Sequence, residues 1–371
     1  VAGSFTGSLP AGVADRTAGN PGCVRTVMSL ATLPVVYAVP PEPADETDDG
    51  APRDMVDDDQ IARSKSIQQR TGKTFHLATR LLPERVREAT YVLYAFFRVA
   101  DEVVDDAEGV APAEQRAELE RIRAAALGER TTDDPVLAAF SELREQYDLN
   151  EEDIEVFIDA MVSDIDTDEY ATYDELEAYM DGSASAVGRM MTDVMAPDDP
   201  EAALPHATAL GEAFQLTNFL RDVREDIVER DRIYLPQSTL AQHDVTNEQI
   251  RNFEMDESFA AVMQTELRRA EELYEKGVAG IKYLPEDCQL AVLLAAVLYA
   301  DHHRLIRSRD YDVLSTTPQL GTARKLHLLA KTRWRWIWNK DPEAVFWAVT
   351  GDSGGGMFTR GGKLVDRLPV R

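Results

Sequence analysis

Cysteine and long apolar runs are scarce in this sequence. Its 371 residues include only two cysteines, Cys23 and Cys288, which lie far apart. Two distant cysteines form neither a disulfide framework nor a Cys-x-x-Cys metal site, so a reducing cytoplasm is the expected location. No apolar run reaches the ~18 residues that a membrane-spanning helix needs. The composition therefore argues against a small secreted domain and against an integral membrane protein.

Positive charge, and lysine in particular, is also scarce. The chain has 8 Lys against 31 Arg, and 67 acidic against 39 basic residues give a formal net charge of -28. This balance argues against nucleic acid as a partner and against electrostatic docking on anionic lipid, because both require a basic surface. An acidic, lysine-poor protein stays soluble in high salt, where charge repulsion is screened. We therefore expect a halophilic source, with arginine-favouring codon usage as the alternative.

Three regions of the chain differ in composition. Residues 1–54 hold 7 of the 18 prolines and 6 of the 21 glycines. They are expected to be a disordered or non-native extension, since Met55 opens a stretch that reads like a natural start. Residues 55–348 carry apolar residues at three- and four-residue spacing with no alternating strand pattern, which predicts one all-α domain. The Gly-rich residues 349–371 are expected to be a disordered tail.

Two aspartate clusters directly follow strongly apolar helical segments. Asp101 and Asp105 lie four residues apart and share one helix face, as do Asp222 and Asp226. Like charges at this spacing destabilise a helix, so a compensating cation is expected. Mg²⁺ is a hard cation that takes carboxylate oxygens and keeps substrate phosphates in its shell. The two faces, placed across a cavity, would hold Mg²⁺ ions and bind a diphosphate between them.

The alternative is that such pairs are only solvated faces of acidic helices. Asp164 and Asp168 have the same spacing and are taken as an example of this background. Arginines distinguish the two clusters, because Arg98 precedes the first by three residues and Arg221 directly precedes the second. Arginine makes bidentate contacts with phosphate. Carboxylates, arginine and an apolar approach together indicate a prenyl diphosphate substrate.

Four ordered motifs carry a resemblance to a known family. They are "GKTFHLATRLLP", "YVLYAFFRVADEVVD", "YMDGSASAVGRMMTDV" from Tyr179, and "LGEAFQLTNFLRDVREDIVERDRIYLP" from Leu210. Over roughly residues 60 to 330 the chain resembles the squalene and phytoene synthase family. The resemblance implies an all-α, single-domain isoprenoid synthase fold with a central cavity between helices.

The resemblance also implies a role for each matching residue. The catalytic residues would be the four aspartates, and the metal ligands would be Asp101, Asp105, Asn218, Asp222 and Asp226. The diphosphate oxygens would be held by Lys73, Thr74, Arg98, Tyr179 and Arg221. Tyr94, Gln215 and Tyr299 would line the substrate site, and Phe75, Ala184, Val187 and Phe214 would shape the tunnel for the isoprenoid tails. The small residues 182–186 would either leave room for a prenyl chain or only allow close helix packing.

Within the family the chain looks most similar to archaeal and bacterial members that make phytoene. The implied reaction is the head-to-head condensation of two geranylgeranyl diphosphates, through prephytoene diphosphate, to phytoene. This is the first committed step of carotenoid biosynthesis. It would use Mg²⁺ or Mn²⁺ and no NADPH, release two diphosphates and make the protein a transferase.

Other functions stay open on the sequence alone. One is a squalene or dehydrosqualene synthase that uses two farnesyl diphosphates, since chain length depends on tunnel depth. A second is a catalytically inactive helical scaffold that binds prenyl diphosphates, and a third is a single-substrate terpene cyclase. A monomer is favoured. Because the substrates and product are oily, peripheral contact with the inner face of the membrane is compatible with the sequence.

Overall fold

The structure, a computed structural model, describes residues 78–105 and 109–351. Three of the predicted site residues, Lys73, Thr74 and Phe75, lie outside this part of the chain, as do both predicted tails apart from residues 349–351. The α-helices of the described residues are α1 (Glu84–Asp105), α2 (Pro112–Ala126), α3 (Pro135–Tyr147), α4 (Glu151–Ser163), α5 (Tyr173–Met180), α6 (Ala186–Met195), α7 (Pro200–Arg230), α8 (Gln237–Gln242), α9 (Asn247–Arg251), α10 (Glu257–Ala279), α11 (Glu286–Arg307), α12 (Thr322–Trp338) and α13 (Pro342–Thr350).

Two short helical turns of other types lie between these α-helices. A π-helical turn, Asp181–Ser185, joins α5 to α6, and a 3₁₀ turn, Ile281–Tyr283, follows α10. In the described ranges the only β pairing is an isolated bridge between Glu169 and Ile233. The prediction of an all-α fold is therefore confirmed. Helix α13 runs to Thr350, two residues into the segment predicted as a tail.

The long helix α7 organises the domain. The Asp199 side chain accepts a hydrogen bond from the Ala202 amide and caps its first turn, and Pro200 occupies the first helical position, where its missing N–H costs nothing. The helix packs against α6, α10, α11 and the π-helical turn. It ends where Asp231 adopts a left-handed conformation with φ 53°. This turn directs the following residues back toward the interior.

Close backbone approach at Gly211 brings the π-helical turn against α7. A Cβ atom at Gly211 would lie 2.6 Å from the carbonyl oxygen of Ala184, so only glycine fits without a shift. A Cβ atom at Gly182 would lie 2.3 Å from the carbonyl oxygen of Val156 on α4. The small residues 182–186 therefore do provide close helix packing. Single π-helical turns of this kind are frequent at functional sites.

The described helices also bear on membrane insertion. None of those in residues 78–105 and 109–351 combines the length and the apolar run needed to cross a bilayer.

A candidate active site of two adjoining cavities

The C-terminal halves of α1 and α7 line a polar cavity with about 420 Å³ of empty space, its open mouth included. Its walls are carried mainly by charged and amide side chains, with tyrosines and one phenylalanine. The lining residues are Asp101, Asp105, Asp164, Tyr179, Gln215, Asn218, Phe219, Asp222, Asp226, Arg230, Arg232 and Tyr234. Both predicted aspartate clusters thus face one space, although 117 residues separate Asp105 from Asp222 in the sequence.

Each aspartate cluster is paired with the arginine that precedes it. Arg98 Nη1 donates to Asp101 Oδ2 over 2.6 Å, and Arg221 Nε donates to Asp222 Oδ1 over 2.7 Å. All four side chains are buried. Arg98 also lines the neighbouring apolar cavity described below, whereas Arg221 lines neither cavity. The arginines predicted to hold diphosphate oxygens are therefore beside the carboxylates and neutralise them in this structure.

Arg230 joins the two clusters across the cavity. Its Nη2 donates to Asp105 Oδ2 over 3.2 Å and its Nη1 donates to Asp226 Oδ1 over 3.0 Å. Arg230 was not among the site residues predicted from the sequence. The available signal was its position four residues after Asp226, which places both side chains on the same helix face.

Burial and mutual repulsion disfavour negative charge on these carboxyls. The pKa of Asp101 is raised well above its ordinary value by burial and by the nearby Asp105, and Arg98 only partly opposes this. The pKa of Asp226 is raised for the same reasons, with Asp222 as the repelling neighbour. The repulsion predicted from the four-residue spacing is thus present in the folded protein, and a bound cation would relieve it.

The donor set fits a hard divalent cation. Asn218 lies among the aspartates, and both its Oδ1 and its Nδ2 are buried without a hydrogen-bond partner. Such orphaned polar atoms are costly unless a ligand or ion satisfies them. In the described residues no three acidic, histidine or cysteine side chains converge closely enough to hold an ion as they stand. An ion in this cavity would compete with the arginines for the carboxylates.

Asp164 forms a second charged centre in the same cavity. It accepts hydrogen bonds from Tyr179 Oη at 2.9 Å and from Arg232 Nη1 at 3.0 Å. Burial raises its pKa to about 6, although Arg232 and Tyr179 act in the opposite direction. Asp168, four residues further on, is exposed. The prediction that this pair is only a solvated helix face therefore holds for Asp168 and is wrong for Asp164.

Tyr179 belongs to an aromatic cluster on this wall. Phe219 and Tyr234 stack with ring centroids 3.9 Å apart and an interplanar angle of 8°. Tyr179 and Tyr170 pack around them. The predicted diphosphate contact from Tyr179 has a competing partner here, because its hydroxyl donates to Asp164. Arg232 and Tyr234 lie in the recognised motif, but no role was assigned to them from the sequence.

A second, apolar cavity adjoins the polar one. It has about 1370 Å³ of empty space, its open mouth included. On α1 its wall runs from Thr90 to Arg98, and on α7 it runs from Ala203 to Phe214, one residue before Gln215 of the polar cavity. The two cavities therefore follow one another along the same two helices, with Arg98 and Phe214 at their junction.

The apolar cavity brings together most of the described residues that were predicted to line the substrate site or to shape the tunnel. Tyr94, Ala184, Val187 and Phe214 all line it. Tyr299 does not. It is buried behind Phe214, with ring centroids 4.6 Å apart, and its hydroxyl has no partner. Ser183 and Ala184 line the cavity from the π-helical turn, so the small residues there give space as well as close packing.

Comparison with known proteins agrees with this architecture. The family model described as Squalene/phytoene synthase matches residues 68–327. The chain is 32% identical over 273 residues to a 15-cis-phytoene synthase of Synechococcus elongatus, a match that covers 71% of this chain and 88% of that protein. It is 31% identical to a phytoene synthase of Rhodobacter capsulatus, covering 71% of this chain and 78% of that one.

Solved structures extend the comparison to the fold. A crystal structure of a dehydrosqualene synthase with ligand superposes with a TM-score of 0.69 at 27% identity and covers 76% of this chain and 98% of that one. A squalene synthase from Alicyclobacillus acidocaldarius, at 23% identity, has a TM-score of 0.61 with 68% and 95% coverage and supports the fold alone. With the family model matching most of the chain and the aspartate helices facing one cavity, the protein belongs to the squalene/phytoene synthase family.

Proposed function

We propose that this protein is a phytoene synthase that condenses two geranylgeranyl diphosphates head to head, through prephytoene diphosphate, and releases two diphosphates. The observation that carries the proposal is the junction of the two cavities. A cavity lined by aspartates and arginines suits diphosphates, and the apolar cavity beside it suits long hydrocarbon tails. The identity to phytoene synthases supports the same choice of product.

Mg²⁺ is the proposed metal, held by Asp101, Asp105, Asn218, Asp222 and Asp226. When bound, the metal would neutralise the diphosphate charge that grows as the leaving group departs. Entry of a cation requires Arg98, Arg221 and Arg230 to turn away from the carboxylates that they now contact. The freed guanidinium groups of Arg98 and Arg221 can then bind diphosphate oxygens in bidentate fashion. The arginines would thus pair with carboxylates in the free protein and with diphosphate oxygens once the metal and the substrate are bound.

The apolar walls perform a different part of the reaction. Water would quench an allylic cation, and a wall of aliphatic and aromatic side chains excludes it. Tyr94 and Phe97 on α1, with Phe214 on α7, present rings to the cavity near its junction with the diphosphate site. Aromatic faces attract cations, so these rings are placed to stabilise positive charge on the reacting carbons.

A single incubation tests the proposal. The purified full chain is given geranylgeranyl diphosphate and Mg²⁺ in high salt without NADPH, and the hydrocarbons are extracted. Phytoene that disappears when EDTA is added supports the substrate, the metal and the independence from nicotinamide. Squalene or dehydrosqualene from farnesyl diphosphate, with no product from the longer substrate, would replace the proposal by the shorter-chain activity. No diphosphate release from either substrate would indicate a binding scaffold.

A further inference from the structure

Helix α12 has two apolar faces, and only one of them packs against the domain. The inward face buries Leu328, Thr332 and Trp336 at four-residue intervals. The outward face carries four large apolar side chains, each more than half exposed: Leu326 (57%), Trp334 (64%), Ile337 (58%) and Trp338 (75%). With the exposed Ala330 between them, they form a stripe at three- and four-residue spacing. We call this stripe the outer face of α12.

The charge around the outer face is opposite to that of the whole chain. Between Asp312 and Asp341 there are six Arg and Lys residues and no acidic one, whereas the chain averages about one acidic residue in every five or six positions. Arg324 is neutralised by an ion pair with Asp301, which leaves five. Arg333 is exposed beside Trp334, and the Lys340 Nζ lies 4.9 Å from the centroid of the Trp336 ring. A net charge of -28 therefore conceals one basic, tryptophan-rich helix.

We propose that the outer face of α12 docks this protein on an anionic lipid bilayer, with the helix lying in the plane of the interface. Tryptophan is enriched at the membrane–water boundary, where its apolar ring and polar N–H are both satisfied. Flanking Arg and Lys residues are attracted to anionic head groups. An exposed apolar stripe together with local positive charge is the combination that such a surface recognises.

The size of the face favours lipid over another protein. Its four large side chains are 57–75% exposed, and at ~150–250 Å² for each whole side chain they offer roughly 500 Å² of accessible apolar surface. A stable protein interface buries about 800 Å² on each partner. A bilayer accommodates a single amphipathic helix without that requirement.

The outer face is also separate from the site described above. None of its side chains lines either cavity. Most of it follows residue 327, where the match to the family model ends. The basic residues of α12 locally reverse the expectation, drawn from the net charge, that the protein does not dock on anionic lipid.

The tryptophans provide a direct measurement. All four in the chain, Trp334, Trp336, Trp338 and Trp347, lie on α12 or α13. The full chain is mixed with vesicles of equal parts phosphatidylcholine and phosphatidylglycerol, and with vesicles of phosphatidylcholine alone. We expect a blue shift of tryptophan emission and flotation with the anionic vesicles. In about 1 M salt the Debye length falls to ~3 Å. The contribution of charge attraction to vesicle binding should therefore decrease, whereas the contribution of apolar burial should remain.

Variants assign the binding to the outer face. Trp334→Ser combined with Trp338→Ser should lower the vesicle partition coefficient by about tenfold or more, while circular dichroism stays unchanged because both rings are largely exposed. Val110→Ser, which removes another exposed apolar side chain, is the matched control and should bind as the parent does. Arg333→Gln with Lys340→Gln should weaken binding to the anionic vesicles only.

Three results would overturn the proposal. The first is a parent chain that floats with neither vesicle, and the second is undiminished flotation of the tryptophan double variant. The third is a dimer, seen by sedimentation without lipid, that the double variant dissociates, because the face would then be covered by a second copy.

Discussion

The polar and apolar cavities are built from the same two helices but differ in what holds them together. The apolar cavity is lined mostly by side chains that need no partner, so it stands open in the folded protein. In the polar cavity the carboxylates and arginines satisfy one another, and Arg230 links Asp105 to Asp226 across it. The difference indicates that the apolar cavity is preformed, whereas the carboxylates of the polar cavity are neutralised by internal counter-ions.

The largest effect is expected from removing one carboxylate of the polar cavity. Asp222→Ala should lower turnover by about a thousandfold or more, because the stabilisation of the departing diphosphate is lost. The helical circular dichroism signal should be retained. Asp168→Ala, at an exposed aspartate, is the matched control and should keep full activity. Normal turnover by the Asp222 variant would remove the metal role from this cavity.

The second test fills the apolar cavity and leaves the polar one intact. Ala203 lines the end of the apolar cavity away from the aspartates. Ala203→Phe should shorten it, lowering turnover of geranylgeranyl diphosphate by roughly tenfold to a hundredfold while farnesyl diphosphate is accepted better. Products from both substrates are measured by chromatography. Ala113→Phe, on an exposed face of α2, is the control. Equal losses for both substrates would contradict a role of this wall in chain length.

The third test removes the internal counter-ion. Arg230→Gln leaves Asp105 and Asp226 buried without it, so the free energy of unfolding in urea and EDTA should fall by about 3 kcal/mol. Mg²⁺ should restore more stability to the variant than to the parent, since the metal takes over the neutralisation. Arg121→Gln, at an exposed ion pair, should change little. If Mg²⁺ stabilises parent and variant equally, Arg230 and the metal do not compete for the same carboxylates.

The smallest expected effect is a pH dependence at Asp164. Its pKa is raised from 3.8 to about 6 by burial. The unfolded chain therefore releases this proton first, and the contribution of Asp164 to stability is present below about pH 4 and lost as the pH rises to about 6. In Asp164→Asn this loss should be absent, so the parent should become less stable relative to the variant across that window. Urea unfolding at several pH values measures this, with Asp166→Asn, at an exposed aspartate, as the control.

Much of the architecture followed from local patterns. Apolar residues at helical spacing predicted the all-α fold, and the spacing of the aspartates predicted that each pair shares a helix face. The recognised motifs predicted the four aspartates, Tyr179, Gln215 and Asn218 of the polar cavity, whereas the predicted arginines lie beside those aspartates and outside its lining. The contribution of Lys73, Thr74 and Phe75, the metal and the domain boundary at residue 54 stay predictions.

Contacts between distant segments were not predictable in the same way. Asp164 had the same spacing as the exposed pairs that an acidic chain produces by chance, and only its burial beside Tyr179 and Arg232 distinguishes it. Tyr299 was expected on the cavity wall but lies behind Phe214. In both cases the deciding quantity is burial, which depends on packing between helices and not on spacing within one.

The sequence by itself determined which residues form helices, which carboxylates share a face and which family the chain resembles, because these depend on local periodicity and on ordered motifs. Only the tertiary structure decided that Arg230 bridges the two clusters, that Asp164 joins them, and that one face of α12 packs on the domain while the other is exposed. These outcomes depend on the crossing of helices that are far apart in the chain, and such crossings fix burial and charge pairing.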